Sequence, residues 1–150
     1  MRSKAIAISN NGLDEAVAEG ASTPSAPDAT AQDEASRRKL REVCAILDEQ
    51  KAQDVVILDV REQTTLADYF VICSGTSATH IRSIAEGVQD RLREQAKWRA
   101  KAEGDAASFW VILDYGDVIL HIFDAPMRGF YDLERLWADA PALECQPDQL

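Results

Sequence analysis

Phe109–Phe123, FWVILDYGDVILHIF, decides the fold: two apolar runs are joined by a short polar element. Phe109–Leu113 and Val118–Phe123 are built from β-branched, aromatic and leucine residues, and Asp114-Tyr115-Gly116-Asp117 lies between them. Tight hairpin turns need positive φ, which glycine adopts without a steric cost, so a hairpin looped at Tyr115-Gly116 is predicted. That loop pairs Asp114 with Asp117, Leu113 with Val118, Ile112 with Ile119, Val111 with Leu120, Trp110 with His121 and Phe109 with Ile122. It also leaves the Tyr115 ring at the tip.

Side chains alternate faces along a strand, so the hairpin has two unlike sides. Phe109, Val111, Leu113, Val118, Leu120 and Ile122 form a wholly apolar face suited to lie under helices. Trp110, Ile112, Asp114, Asp117, Ile119 and His121 form a mixed apolar and acidic face, the composition of a docking surface. Central strands covered on both sides are also apolar throughout, and a buried Trp beside a His is ordinary packing. The hairpin alone leaves both readings open.

Working outward, the order is α/β. Leu40, Val43, Cys44 and Leu47 recur at three- and four-residue steps, the stripe of a helix starting near Asp33 or Ser36 and ending near Gln50. Arg37, Arg38, Lys39 and Arg41 crowd its first turns, against the helix dipole; they read as a solvated face, with an anion contact as the alternative. Asp54–Val60 and Asp68–Ser74 are strands. Gly75-Thr76-Ser77 closes the second and caps a helix over about 77–95, with Ile81, Ile84, Ala85, Val88 and Leu92 on one side. Lys97–Ala102 alternates like an edge strand whose lysines discourage further pairing, and Gly104–Ser108 loops into the hairpin. Asp124-Ala125-Pro126 opens a further helix, with Phe130, Leu133, Leu136 and Trp137 available for packing, that ends by Pro141. The predicted fold is a single α/β domain at 36–138 with one mixed sheet of about five strands flanked by helices. Residues 1–35 read as a disordered acidic extension and 139–150 as a loose acidic tail.

The 150 residues carry a formal net charge of −10. Residues 1–35 hold two bases, Arg2 and Lys4, against six acids, so the domain itself is only mildly acidic. Such a chain is poorly suited to wrap nucleic acid and better suited to meet a basic protein. Little direct nucleic-acid contact is therefore expected, and no membrane. Cys44, Cys73 and Cys145 are odd in number and widely spaced, which fits neither a disulfide framework nor a zinc site; the first two read as core residues. No cofactor is implied, and the compartment read from these features is the cytoplasm.

Chemistry has few footholds. Gly75-Thr76-Ser77 could hold a phosphate at a helix start but is also an ordinary cap. Asp114 and Asp117, if adjacent, could bind a divalent ion; they read more simply as turn residues. His80 and His121 have no ligand spacing.

Four blocks, DVVILDV, ADYFVICSGTSATHIRSIAEGV, FWVILDYGDVILHIF and R-x-F-Y-x-L-E-x-L-W, occur in the order found in the ribosomal silencing factor (Iojap-related) family, which the chain resembles over about Leu40–Ala138. The resemblance implies a non-enzymatic factor with a nucleotidyltransferase-like fold. It implies binding to the large ribosomal subunit through large-subunit ribosomal protein fourteen, a basic protein at the subunit interface. Occupying that interface would block joining of the small subunit and slow translation under nutrient limitation. The family's docking surface carries over to Trp110, Asp114 and Tyr115, with Asp117 and His121 beside them. Tyr115 stands where leucine is common. Ile112 and Ile119 would complete the desolvated centre around Trp110. Two other classes remain: a Mg-dependent nucleotidyl- or phosphotransferase using Gly75–Ser77 and Asp114/Asp117, and a homodimer that buries the mixed face against itself when free.

Overall fold

A computed structural model describes residues 29–150; residues 1–28, most of the expected extension, lie outside it. Helix α1 spans Ala29–Glu49, so it starts ahead of Asp33, where the run Ala29-Thr30-Ala31-Gln32 already favours helix. The compact unit nevertheless begins at Ser36 and continues to Leu150. Strands β1 (Gln53–Asp59) and β2 (Tyr69–Ser74) follow, then α2 (Ala78–Ala96), β3 (Lys101–Asp105), β4 (Trp110–Asp114) and β5 (Val118–Phe123). Two short helices, α3 (Ala125–Tyr131) and α4 (Leu133–Leu136), precede β6 (Ala142–Leu143). The sheet is mixed and six-stranded, ordered β3-β4-β5-β2-β1-β6, with only β2 and β5 parallel.

Every residue of β2 is buried, because both faces of the sheet are covered there. On one face Leu40, Val43 and Leu47 of α1 and Ile81, Ile84, Val88 and Leu92 of α2 pack on Val71, Leu113, Leu120 and Ile122. On the other, Phe70, Ile72, Leu58 and Phe123 meet Met127, Leu133 and Trp137. The first cover is two long helices; the second is short.

The hairpin register differs from the predicted one. Tyr115 N–H donates to the Val118 carbonyl at 2.9 Å, so the loop is Gly116-Asp117, with Gly116 at φ 91°. Glycine thus takes the first central position, the placement a type II′ turn requires. Asp114 now pairs with Ile119, Leu113 with Leu120, Ile112 with His121, Val111 with Ile122 and Trp110 with Phe123. The slip is an even number of residues, so the division into two faces survives. Asp117, now a loop residue turned towards α1, and Phe109 are the exceptions. Phe109 sits at φ 62° outside the strand and is partly exposed instead of joining the core face.

The edge strand also moves. Lys97 is the left-handed cap of α2, Trp98 and Ala100 pack on the core, and pairing begins at Lys101. Gly104 and Asp105, expected in a loop, are the strand's last residues. Gly104 has φ 75°, and a Cβ there would lie 2.2 Å from the Trp110 carbonyl oxygen, a close approach only glycine allows. At the helical end, Asp132 at φ 48° breaks the predicted continuous helix into α3 and α4.

Residues after Pro141 do not trail away. Ala142 and Leu143 pair with Leu58 and Ile57, and Cys145 forms a disulfide with Cys44 of α1, 101 residues earlier. An odd count argues against pairing only if every thiol needs a partner. The third, Cys73, is simply enclosed in β2, where burial pushes its pKa up to about 12. A crosslink closing so long a loop limits the unfolded chain. Cys145→Ser, or reduction of the parent, is expected to lower unfolding free energy by roughly 2–5 kcal/mol in denaturant titration. Coincident curves for oxidised and reduced protein would show that the bond contributes nothing.

Candidate docking face

The mixed face is built on β4 and β5, and the structure sorts its expected members into three groups. Trp110, Ile112, Ile119 and Asp114 are half-buried and retain surface. Trp110 Nε1–H donates to His121 Nδ1 at 3.3 Å, and its ring lies 5.0 Å from Phe123 and 4.3 Å from Tyr131. Asp114 Oδ1 accepts the Gly116 N–H at 2.7 Å, a short side-chain turn that fixes the carboxylate beside the loop. Its neighbour across β3 is Lys101, and Glu103 neighbours Ile112, so the open part of the face continues onto the edge strand.

Two residues expected at the surface are buried instead. Tyr115 is 9% exposed, because the loop begins one residue later and places its ring on the helix-covered side among the core residues. Its hydroxyl has no hydrogen-bond partner among the described residues, and burial pushes its pKa up to about 12. The ring is core, not tip. His121 is likewise 9% exposed, edge-on to Phe70 at 5.6 Å. Burial pushes its pKa down to about 4, opposed by the Asp114 charge, so the imidazole is neutral and accepts from Trp110. It supports the indole from behind.

Asp117 has been recruited by the chain itself. Its carboxylate accepts from Ser36 Oγ at 2.7 Å and from Lys39 Nζ at 2.7 Å, and its carbonyl accepts from Asp68 and Tyr69 N–H. It therefore faces α1, away from Asp114. The carboxylate pair that the rival metal-dependent reading needs does not assemble, and no group of three or more metal-ligating side chains occurs among the described residues. At the other candidate, Ser77 Oγ accepts from His80 N–H at 3.1 Å while His80 Nδ1 takes the Thr76 N–H at 2.9 Å. The His80 ring also bonds the Gln50 carbonyl at 2.7 Å. Gly75-Thr76-Ser77 is a cap with its own partners.

The residues missed are on α3 and α4. Phe130, Tyr131 and Leu136 are 77%, 43% and 70% exposed. Tyr131 lies tilted against Trp110, and Phe130 sits edge-on to Tyr131 at 5.1 Å, which extends the aromatic row beyond the sheet. Arg128 holds the two helices in place: its guanidinium bonds Glu134 at 2.9 and 3.0 Å and Ser74 Oγ at 2.9 Å. A signal is present in the sequence, since Phe130, Tyr131, Leu133, Leu136 and Trp137 crowd eight positions of two helices too short to bury them all. Only Leu133 and Trp137 pack on the core.

The family model described as ribosomal silencing factor during starvation matches residues 33–149. The chain belongs to the ribosomal silencing factor family. A relative named ribosomal silencing factor RsfS from Bacillus subtilis is 38% identical over 102 residues, 68% of this chain and 86% of the relative. A mouse protein named mitochondrial assembly of ribosomal large subunit protein 1 is 31% identical over 97 residues, 62% of this chain and 42% of its own length. A crystal structure from Chromobacterium violaceum superposes with a TM-score of 0.65 at 28% identity, covering 68% of this chain and 85% of that one. One from Bacillus halodurans gives 0.63 at 33% identity, covering 72% and 98%. The six-stranded α/β architecture is thus the family's. No helix among the described residues is long and apolar enough to cross a membrane.

The buried imidazole gives a pH signature. A histidine whose folded pKa lies near 4, below its ordinary 6.5, binds fewer protons folded than unfolded between those values. Stability from this group is complete above about pH 6.5, falls as pH drops towards about 4, and is then lost. The parent should lose roughly 2–4 kcal/mol more than His121→Phe across that window, by denaturant titration at each pH. Parallel profiles for the two proteins would contradict a neutral buried His121.

Proposed function

We propose that this chain is a translation repressor that docks on the large ribosomal subunit through the open part of its mixed face and sterically prevents joining of the small subunit. The observation that carries the reading is the aromatic row of Trp110, Tyr131 and Phe130, with Leu136 also exposed on α4, beside a sheet face that α3 and α4 cover incompletely. An apolar row rimmed by charge is the anatomy of a protein interface, and a rigid Trp backed by its own hydrogen bond suits a hot spot. Family membership and the names of its relatives support the ribosome as the setting of this reading.

The partner is a basic ribosomal protein at the subunit interface, large-subunit ribosomal protein fourteen by family resemblance. Asp114 is the acid left to meet it, since Asp117 is neutralised by Lys39. Obstruction needs occupancy and affinity and no chemistry, so the factor acts without catalysis or cofactor. Its place of action is the cytoplasm. Thiol reductants are plentiful there, and Cys145 is half-exposed, so oxidised and reduced protein both belong in the assay.

Trp110→Ala should weaken co-sedimentation with purified large subunits by roughly 2 kcal/mol or more, the cost of truncating a central aromatic. Because Trp110 also packs on Phe123, the exposed pair Phe130→Ser and Leu136→Ser provides the control: both should fold with the parent's stability and bind more weakly. A subunit-joining assay should then show restored joining in proportion to the weakened binding. Full binding by a folded Trp110→Ala/Phe130→Ser/Leu136→Ser protein would remove this face from consideration. A homodimer in light scattering that persists in the presence of large subunits would do the same.

A further inference from the structure

Two basic runs, Arg37–Arg41 (RRKLR) and Lys97–Lys101 (KWRAK), are far apart in sequence and meet across one indole. The Arg38 guanidinium carbon lies 5.3 Å and Lys39 Nζ 5.4 Å from the centroid of Trp98. Trp98 itself packs on the core, so its ring is a fixed platform that brings both cations to one place. Arg38, Lys97, Arg99 and Lys101 are all exposed, and none is engaged in an ion pair among the described residues. In a chain of net charge −10 this is a local reversal of sign.

The reversal adjoins the docking face. Lys39 reaches the Tyr115 carbonyl at 3.3 Å and the Asp117 carboxylate, and Lys101 is the cross-strand neighbour of Asp114. Whatever covers Asp114 therefore passes close to Lys101. A basic protein that meets Asp114 leaves Lys101 and the exposed cations before it unmatched, whereas the RNA that surrounds ribosomal proteins would be attracted by them. The Trp98 ring is occupied by Arg38 and by Lys39, which is already paired with Asp117, so it presets the Arg38 guanidinium rather than offering a surface for a base to stack on. Such groups bind phosphate without regard to sequence.

We propose that the Arg38–Trp98–Lys101 patch binds the sugar-phosphate backbone of ribosomal RNA beside the docking row, an inference that rests on the large-subunit reading above. It amends the expectation of little nucleic-acid contact drawn from net charge, because a handful of short-range phosphate interactions does not need a basic protein overall.

The experiment compares the full chain with an Arg38→Gln/Arg99→Gln/Lys101→Gln variant, whose substitutions are all at exposed positions. Thermal unfolding should coincide for the two. Against large subunits, the slope of log affinity on log salt should fall by about 2 in the variant, near 0.7–0.9 for each phosphate no longer neutralised. In a second arm, fluorescence anisotropy at low salt with a labelled RNA duplex should show weak binding by the parent, reduced roughly tenfold or more in the variant. Phe130→Ser separates the two readings: it should weaken subunit binding and leave the RNA arm unchanged. An unaltered salt slope would overturn the proposal, as would equal RNA binding by parent and variant. Polyglutamate or anionic vesicles competing as well as RNA would overturn it too, by showing a patch for anions of any class. If the parent fails to sediment with large subunits at all, the docking reading fails and the RNA arm still judges the patch.

Discussion

Asp117 is the joint on which the rest of the structure depends. Its backbone carbonyl accepts the N–H groups of Asp68 and Tyr69, which ties the hairpin loop to the start of β2. Its carboxylate accepts from Ser36 and Lys39, which ties the same loop to α1. Both Lys39 and Asp117 are largely shielded, so the pair is held in a medium less screened than bulk water and is backed by the Ser36 hydroxyl. One residue thereby fixes strand register, helix position and which face of the hairpin is buried. The consequence is functional: an acid that composition would assign to a partner is committed to the fold.

From that joint the two faces acquire unequal covers. The α1 and α2 side is sealed by the stripe from Leu40 to Leu47 and its counterpart from Ile81 to Leu92. The opposite side is covered by α3 and α4, which protect Phe70, Ile72 and Phe123 and reach Trp110 through Tyr131, while the rest of β4 and the exposed β3 keep open surface. His121 compensates for the short cover. Neutral and enclosed, it fills the space behind Trp110 and accepts its N–H, so the indole is held rigidly while keeping an outer surface. A rigid aromatic loses little conformational freedom on binding, which is why such residues dominate interfaces.

Much of this is legible in the residues, and the failures have physical causes. The two hairpin faces can be read correctly even with the loop placed one residue early, because the resulting register error is even and alternation is blind to even errors. The same error misplaces Tyr115, since a one-residue loop shift turns a loop residue into the one that closes the hairpin against Val118. Glycine's preference for the first position of a II′ turn carries the missing information. Cys44 and Cys145 cannot be paired by spacing, as only the tertiary fold brings their Cα atoms to 5.5 Å. Phe130 and Leu136 read as core because apolar periodicity does not say whether a helix has anything to pack on. The edge strand slides from Lys97 to Lys101 because the left-handed cap at Lys97 and the packing of Trp98 occupy the residues before it.

If the incompletely covered side of the sheet is the surface that meets the large subunit, binding must change the solvent exposure of its side chains and of few others. Hydroxyl-radical footprinting of the chain, free and bound to purified large subunits, reads this side chain by side chain. Strong protection of Trp110, Tyr131, Phe130 and Leu136 is expected, with the exposed α2 residues Arg82 and Glu86 unchanged. Protection confined to α2 or to the Arg61–Leu66 loop, with Phe130 as reactive as in the free protein, would contradict it.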